Sequence, residues 1–185
     1  MRKVIYWVHT SVDGFVDGPN GEFDWASMGP ELSAYGKEVH DRVDTFLYGR
    51  VVWEMMSSYW PTADQVSDHP HDIEFAPLWR STPKIVFSRT LRGPLDHGAR
   101  VISAVTELTA LKAAPGKDLL LNGGSQLAGV LAEHGLLDEI QVMVHPVVLG
   151  GGKRVLPLDK ARVNLDLVDS RTLDGRTVLH TYVPR

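Results

Sequence analysis

The chain contains no cysteine, which removes disulfides, thiolate nucleophiles and cysteine-ligated metal centres in one step. It also lacks any apolar stretch approaching the roughly 20 residues a helix needs to cross a bilayer. The basic start, Met1-Arg2-Lys3, runs into Val4-Ile5-Tyr6-Trp7-Val8 and meets His9 and Thr10 too early for the apolar core of a secretory signal. A cytoplasmic protein, with no membrane partner, is expected. There is no excess of positive charge either: 19 Lys and Arg against 23 Asp and Glu leave a formal net charge of −4, which argues against nucleic acid as a partner. Internal repeats, linkers and low-complexity tracts are missing as well. What is present is 185 residues, 43% of them hydrophobic, enough to bury a substantial core and short for two domains, so one domain over 1–185 is expected.

Val4 to Thr10 is a near-continuous apolar run, the pattern of a central strand covered on both faces. Ser11 to Trp25 follows as a glycine-punctuated stretch with aromatics among carboxylates. It is either a functional loop or a hairpin with Asp-Gly turns whose Phe15 and Trp25 pin it to the core. Pro30 and Glu31 suit a helix start, and Leu32, Tyr35, Val39 and Val43 recur at helical spacing. Thr45 to Arg50 reads as a short strand ending in glycine and a cation, then Val52, Trp53 and Met56 as a second helix. Tyr59 to Asp72 is polar and turn-rich; its His69-Pro70-His71 triplet has the look of half a metal site, but reads better as a solvated loop. Ile73 to Trp79 is a short helix, Lys84 to Thr90 a third strand, Arg100 to Ile102 another, and Val105 to Ala114 a helix stopped by Pro115-Gly116.

Asp118 to Leu127 is the stretch around which the rest is organised, an apolar run broken by Gly123-Gly124 and followed at once by a helical pattern. Glycines in such a turn can take φ > 0, and the first N–H groups of the helix lack partners, so the junction is a candidate anion site. Its helix, Gln126 to His134, places Leu127, Val130 and Leu131 at core spacing and stops at Gly135. Asp138 to Leu149 then alternates like a long strand with one wetter face. Gly150-Gly151-Gly152-Lys153-Arg154 fails as a phosphate loop, because Arg154 stands where a hydroxyl is needed and Pro157 blocks the helix. Those glycines instead let backbone pass close to a ligand or around a bulge. Val163 to Leu167 and Thr177 to Val183, joined across Asp174-Gly175, form a terminal hairpin.

Alternating strands and helices followed by successive strands describe an α/β protein: a mostly parallel central sheet flanked by helices, with antiparallel C-terminal strands. Such sheets bind ligands beyond the carboxyl ends of their strands, where this chain sets His9 to Gly14, Gly49 and Arg50, Ser88 to Thr90, and Gly123 to Ser125. Two arginines, several hydroxyls and two glycine turns suit an extended, multiply phosphorylated ligand such as a dinucleotide.

Four segments carry a resemblance: Ser11-Val12-Asp13-Gly14-Phe15, Leu47 to Glu54, Leu121-Asn122-Gly123-Gly124-Ser125, and His145 to Gly152. In order and spacing they resemble the dihydrofolate-reductase-like superfamily, and most closely the C-terminal reductase domain of the bifunctional deaminase-reductase of riboflavin biosynthesis, as a stand-alone member. The resemblance implies hydride transfer from NADPH to a small heterocyclic or pyrimidine-type substrate, with 5-amino-6-(5-phosphoribosylamino)uracil as the riboflavin-pathway case. It sets Gly49 and Arg50 by the adenosine-side phosphates, Ser88 and Arg89 by the adenine and 2′-phosphate, Gly123, Gly124 and Ser125 on the pyrophosphate, and Asp13 and Gly14, with the stretch on to Val16, by the nicotinamide ribose. A homodimer paired through C-terminal strands is also implied. Asp24 or Glu31 is a candidate proton source or substrate anchor, and Trp25, Trp53 and Trp60 either wall the substrate or pack the core. No metal is expected. A cleft that kept the fold but lost turnover, and binds a nucleotide, flavin or drug, is the alternative.

Overall fold

The structure is a computed structural model that describes residues 1–159 and 162–185. In chain order its strands are β1 (Val4–Thr10), β2 (Val43–Gly49), β3 (Lys84–Phe87), β4 (Ala99–Ile102), β5 (Asp118–Asn122), β6 (Glu139–Val144), β7 (Leu165–Leu173) and β8 (Thr177–Pro184). The helices are α1 (Pro30–Arg42), α2 (Arg50–Tyr59), α3 (Ala63–Val66), α4 (Pro70–Ser81), α5 (Thr106–Ala113) and α6 (Ser125–Glu133). The strands form one sheet in the order β4-β3-β2-β5-β1-β6-β8-β7. Every pairing is parallel up to β6, while β8 runs antiparallel to β6 and to β7. This is the mixed, mostly parallel sheet expected from the element pattern.

Strand periodicity divides the core in two. Ile5, Trp7, Phe46, Tyr48 and Leu120 face one side with Leu32 and Val39 of α1, Trp53 of α2, and Phe75 and Trp79 of α4. Their neighbours Val4, Tyr6, Val8, Leu47, Leu119 and Leu121 face the other with Leu108 of α5 and Leu131 of α6. Runs such as Leu119-Leu120-Leu121 are apolar throughout because both faces are covered. Each of these leucines is fully buried, and burial of such a side chain stabilises the fold by about 1.5–3 kcal/mol.

Several boundaries differ from the sequence expectation. Val43 opens β2 instead of continuing α1, with extended backbone at φ −115, as its β-branched side chain favours. His69-Pro70-His71 is a helix start and not a solvated loop. Pro70 is the first residue of α4, the His69 ring accepts the His71 N–H at 3.2 Å, and His71 stacks on Phe75. Strand β3 stops at Phe87 because Ser88 Oγ accepts the N–H groups of Thr90 and Leu91 at 3.2 and 3.0 Å and turns the chain. Strand β6 ends at Val144, well short of Leu149, where Pro146 has no N–H to donate and Val147 N–H turns back to the His145 carbonyl. Neither face of β6 is wet, since Glu139 and Gln141 are buried.

Helix α6 buries Ser125, Ala128, Gly129 and Leu131 and leaves Val130 exposed. Small residues set that face, because a Cβ on Gly129 would stand 2.0 Å from the Pro157 carbonyl oxygen. The Gly150–Gly152 run serves a close approach as well. At Gly152, φ is +120 and a Cβ would meet the Asp17 carbonyl at 1.9 Å, so this segment lies against the 11–17 loop. The terminal hairpin turns through Asp174, Gly175 and Arg176, with Asp174 and Gly175 at positive φ as the central pair of a β-turn closed by the Arg176 N–H on the Leu173 carbonyl.

Candidate functional site

The carboxyl ends of β1, β2, β3 and β5 open into a cleft of about 1400 Å³. Its walls include Gly49, Arg50, Ser88, Arg89, Gly123, Gly124 and Ser125. Four separated strand ends thus meet because the strands lie side by side in a parallel sheet. Gly123 and Gly124 have φ of +60 and +75. The Gly123 N–H is taken by the Trp7 carbonyl at 2.8 Å, which fixes the turn against β1. The first-turn N–H groups of α6, Ser125 to Leu127, have no partner within the helix. Ser125 is 3% exposed, and its Oγ has no hydrogen-bond partner among the described residues. A buried hydroxyl without a partner costs free energy, so an oxygen-rich ligand at this turn would complete it.

The cationic side chains differ in their engagement. Arg50 donates through Nη1 to both Glu54 oxygens at 2.7 and 2.9 Å, an exposed i,i+4 pair of small stabilising value. Arg89 is exposed. Lys153 is paired with Asp17 across the cleft mouth. Ser88 is buried and its hydroxyl organises the turn that carries Arg89.

The other half of the cleft is built of rings. Phe23, His9, Trp7, His40, Phe75 and Trp60 form a continuous series of ring contacts with centroid separations of 6.2, 6.1, 6.5, 4.9 and 4.6 Å in that order. His71 stacks on Phe75 at 5.6 Å, and its Nδ1 lies 3.0 Å from Ser33 Oγ. His9 and His145 stand 2.8 Å apart through His9 Nδ1 and His145 Nε2. Because the Trp7 indole only donates, His9 Nε2 accepts from it at 3.4 Å. The His9 proton then sits on Nδ1 and goes to His145, whose own Nδ1 proton faces Thr177 Oγ1 at 3.5 Å. Burial, with smaller contributions from His145 and His71, lowers the His9 pKa to about 3. Burial lowers His40 and His145 to about 4, so these imidazoles are neutral at physiological pH.

Other candidates from the sequence sit elsewhere. Asp13 does not line the cleft; it accepts the N–H groups of Leu149 and Gly150 at 3.1 and 2.8 Å and ties the 11–17 loop to the segment after β6. A hydrogen bond from Ser11, then those two amides, holds its carboxyl well below the usual range. Gly14, at φ +84, accepts the Val155 N–H through its carbonyl in the same tie. Asp24 is exposed on the loop. Glu31 takes part in a helix cap. Asp174 accepts the N–H groups of Glu31 and Leu32 at 2.8 and 3.1 Å, and the Glu31 carboxylate accepts the Asp174 N–H in return. Trp53 is a core residue stacked on Trp79, and Trp25 packs edge-on against His145 and Phe23 behind the cleft. Of the three tryptophans, Trp60 lines the cleft, and Trp7 joins it. The sequence sets His9 at the carboxyl end of β1, but Trp7 sits in an apolar run that reads as core and His40 among the charged residues of an amphipathic helix end, so neither stands out.

No helix among the described residues is long and apolar enough to cross a membrane. Nor do they contain a group of three or more His, Asp or Glu that could hold a metal ion.

The chain is 36% identical over 183 residues to Uncharacterized protein YyaP of Bacillus subtilis (strain 168), covering 98% of this chain and 94% of that protein. Among solved structures, a putative riboflavin biosynthesis protein from Shewanella sp. PV-4 superposes with a TM-score of 0.78 at 20% identity, over 100% of this chain and 99% of that one. Dihydrofolate reductase from Enterococcus faecalis, complexed with NADP(H) and RAB-propyl, superposes with a TM-score of 0.66 at 16% identity, over 99% and 96% of the two chains. These likenesses establish the dihydrofolate-reductase-like fold. Residues 2–179 match the family described as the RibD C-terminal domain, and the protein belongs to that family.

Proposed function

We propose that the chain is an NADPH-dependent reductase that transfers hydride to a small heterocyclic substrate. The observation that carries this reading is the orphaned, buried Ser125 hydroxyl at the head of α6, in a glycine turn beside the end of β2 that bears Arg50, with the Arg89-bearing end of β3 next to it. The donor set fits a dinucleotide. The amides of the α6 first turn and Ser125 Oγ would hold the pyrophosphate, and Arg50 and Arg89 would meet the 2′-phosphate, Arg50 by releasing Glu54. NADPH, when bound, supplies the hydride. The ring-lined half beside it would then orient the substrate, with His9 fixed in one tautomer by Trp7 and His145. The fold is also that of a solved reductase complexed with NADP(H), which supports the same assignment.

The test is a binding titration. NADPH should bind at least tenfold more tightly than NADH, and Arg89→Ala should weaken NADPH by about 10- to 100-fold, the range for a hydrogen bond to a charged group, while leaving NADH unchanged. Equal affinities for the two nucleotides would refute the 2′-phosphate assignment. A homodimer belongs to the same reading. Strand β7 is a sheet edge whose Leu167 and Val168 are 56% and 57% exposed, an unpaired edge of the kind that joins a second chain.

A further inference from the structure

The ring-lined half of the cleft carries information about its occupant that the nucleotide half does not. The described Lys and Arg residues that line the cleft are Arg50, Arg89 and Lys153. Arg50 and Arg89 follow β2 and β3 at the nucleotide half, and Lys153 is paired with Asp17. The series from Phe23 through Trp7 and His40 to Trp60 therefore offers rings and neutral imidazoles without a cation. Asp72 stands at this end, accepting the Tyr59 hydroxyl at 2.7 Å, and adds negative potential.

Helix α1 shapes the same half. Its residues that face the cleft are Gly36 and His40, while Glu38 and Asp41 are exposed elsewhere. No carboxylate from this helix is available to hold a protonated ring. A glycine within a helix costs about 1 kcal/mol relative to alanine. At Gly36 a Cβ would lie 3.7 Å from the Trp7 ring, so the missing side chain keeps that edge of the indole open to the cleft.

We propose that this half of the cleft accepts an uncharged planar heterocycle and discriminates against substrates that carry a phosphate. A planar ring gains stacking area on the ring series. A phosphate would give up water without meeting a cation and would face the Asp72 carboxylate, a desolvation that nothing lining this half offsets. The proposal rests on the other half being the nucleotide site, since Arg89 would otherwise remain open to a substrate phosphate.

The experiment has two stages. NADP⁺ is first titrated into the protein by calorimetry, which reads the nucleotide half alone; failure there strikes the reductase reading. With NADP⁺ saturating, neopterin and neopterin 3′-phosphate are then titrated at pH 7. Neopterin is expected to bind at least tenfold more tightly than its phosphate ester. Trp60→Ala should weaken neopterin by about tenfold, within the range for loss of a stacked aromatic, without moving the NADP⁺ Kd. Asp72→Arg, a change near the cleft mouth that leaves the core untouched, should narrow the preference. Equal or tighter binding of the phosphate ester, or no binding of neopterin to protein loaded with NADP⁺, overturns the proposal.

Discussion

Three neutral histidines make the fold sensitive to mild acid. His9 and His40 are partly buried and His145 is 1% exposed, and burial lowers their pKa values to about 3, 4 and 4. In the unfolded chain an imidazole titrates near 6.5. Between these values the unfolded state binds protons that the folded state does not, so stability is complete above about pH 6.5 and falls as the pH drops toward 4. For one such group the linkage amounts to about 0.1 kcal/mol at pH 7.5 and about 1.4 kcal/mol at pH 5.5. Three groups give a loss of about 4 kcal/mol over that interval, and about 3 if the hydrogen-bonded His9 and His145 take up one proton together. Against a typical total of 5–15 kcal/mol, this is a large fraction.

Urea unfolding at 25 °C measures it directly. The free energy extrapolated to water should fall by about 3–4 kcal/mol between pH 7.5 and 5.5. Ordinary carboxylates contribute little in this window because they titrate near pH 4. His40→Phe preserves a ring between Phe75 and Phe46, which flank it at 4.9 and 5.7 Å, and should remove about a third of the pH dependence. A stability that changes by less than about 1 kcal/mol over the interval would refute the claim that these imidazoles are held neutral.

Three other outcomes are expected. Gly124→Val should raise the NADPH Kd at least tenfold in a folded protein, because the residue sits at φ +75 with Val52 Cγ2 3.6 Å from the new Cβ; an unchanged Kd in calorimetry would remove the pyrophosphate role of the turn. Glu31→Ala should lower stability by about 1 kcal/mol, the usual value of a helix cap, with NADPH affinity unchanged; a large loss of turnover without loss of stability in denaturant titration would restore its candidacy as a proton source. Leu167→Asp on the β7 edge should shift the protein from dimer to monomer in light scattering, and a wild-type monomer at micromolar concentration would end the dimer reading.

The parallel sheet could be read from the chain because its strands are short apolar runs separated by helical periods and punctuated by Gly49, Gly123-Gly124 and Gly135. The strand-end half of the cleft was readable for the same reason: it is built from backbone at strand ends, where glycine and hydroxyl residues cluster within a few positions. The ring half was not. Trp7, Phe23, His40, Trp60, and the α4 pair His71 and Phe75 come from five separate segments, and apart from Trp60, which the sequence offers as a candidate substrate wall, each alone has the pattern of a core or loop residue. Gly36 is equally silent, since a glycine in a helix carries no sign of the cavity it faces. Glu31 and Trp53 were left open by the converse ambiguity, an acid at a helix start and an aromatic in an amphipathic helix, because the partners that hold them, Asp174 and Trp79, lie 143 and 26 positions away.

The cap between Glu31 and Asp174 joins the two halves of the molecule in a way the sheet does not. Asp174 sits in the turn between β7 and β8 at positive φ, and its carboxylate receives the first amides of α1. Gly29, the residue before Pro30, has no side chain to cap the helix, and a Cβ there would overlap the Asp174 carboxylate at 2.3 Å. The C-terminal hairpin thus substitutes for a local cap and fixes the N-terminus of the helix whose Gly36 and His40 line the ring-lined half of the cleft. On the opposite side of the sheet, α6 is held close by Gly124 and Gly129, and Leu165 and Tyr182 of the hairpin pack against the core cluster that contains its Ala128 and Leu131. The C-terminal hairpin therefore serves both faces of the sheet, capping α1 on the ring-lined side and packing on the core cluster of α6 on the other.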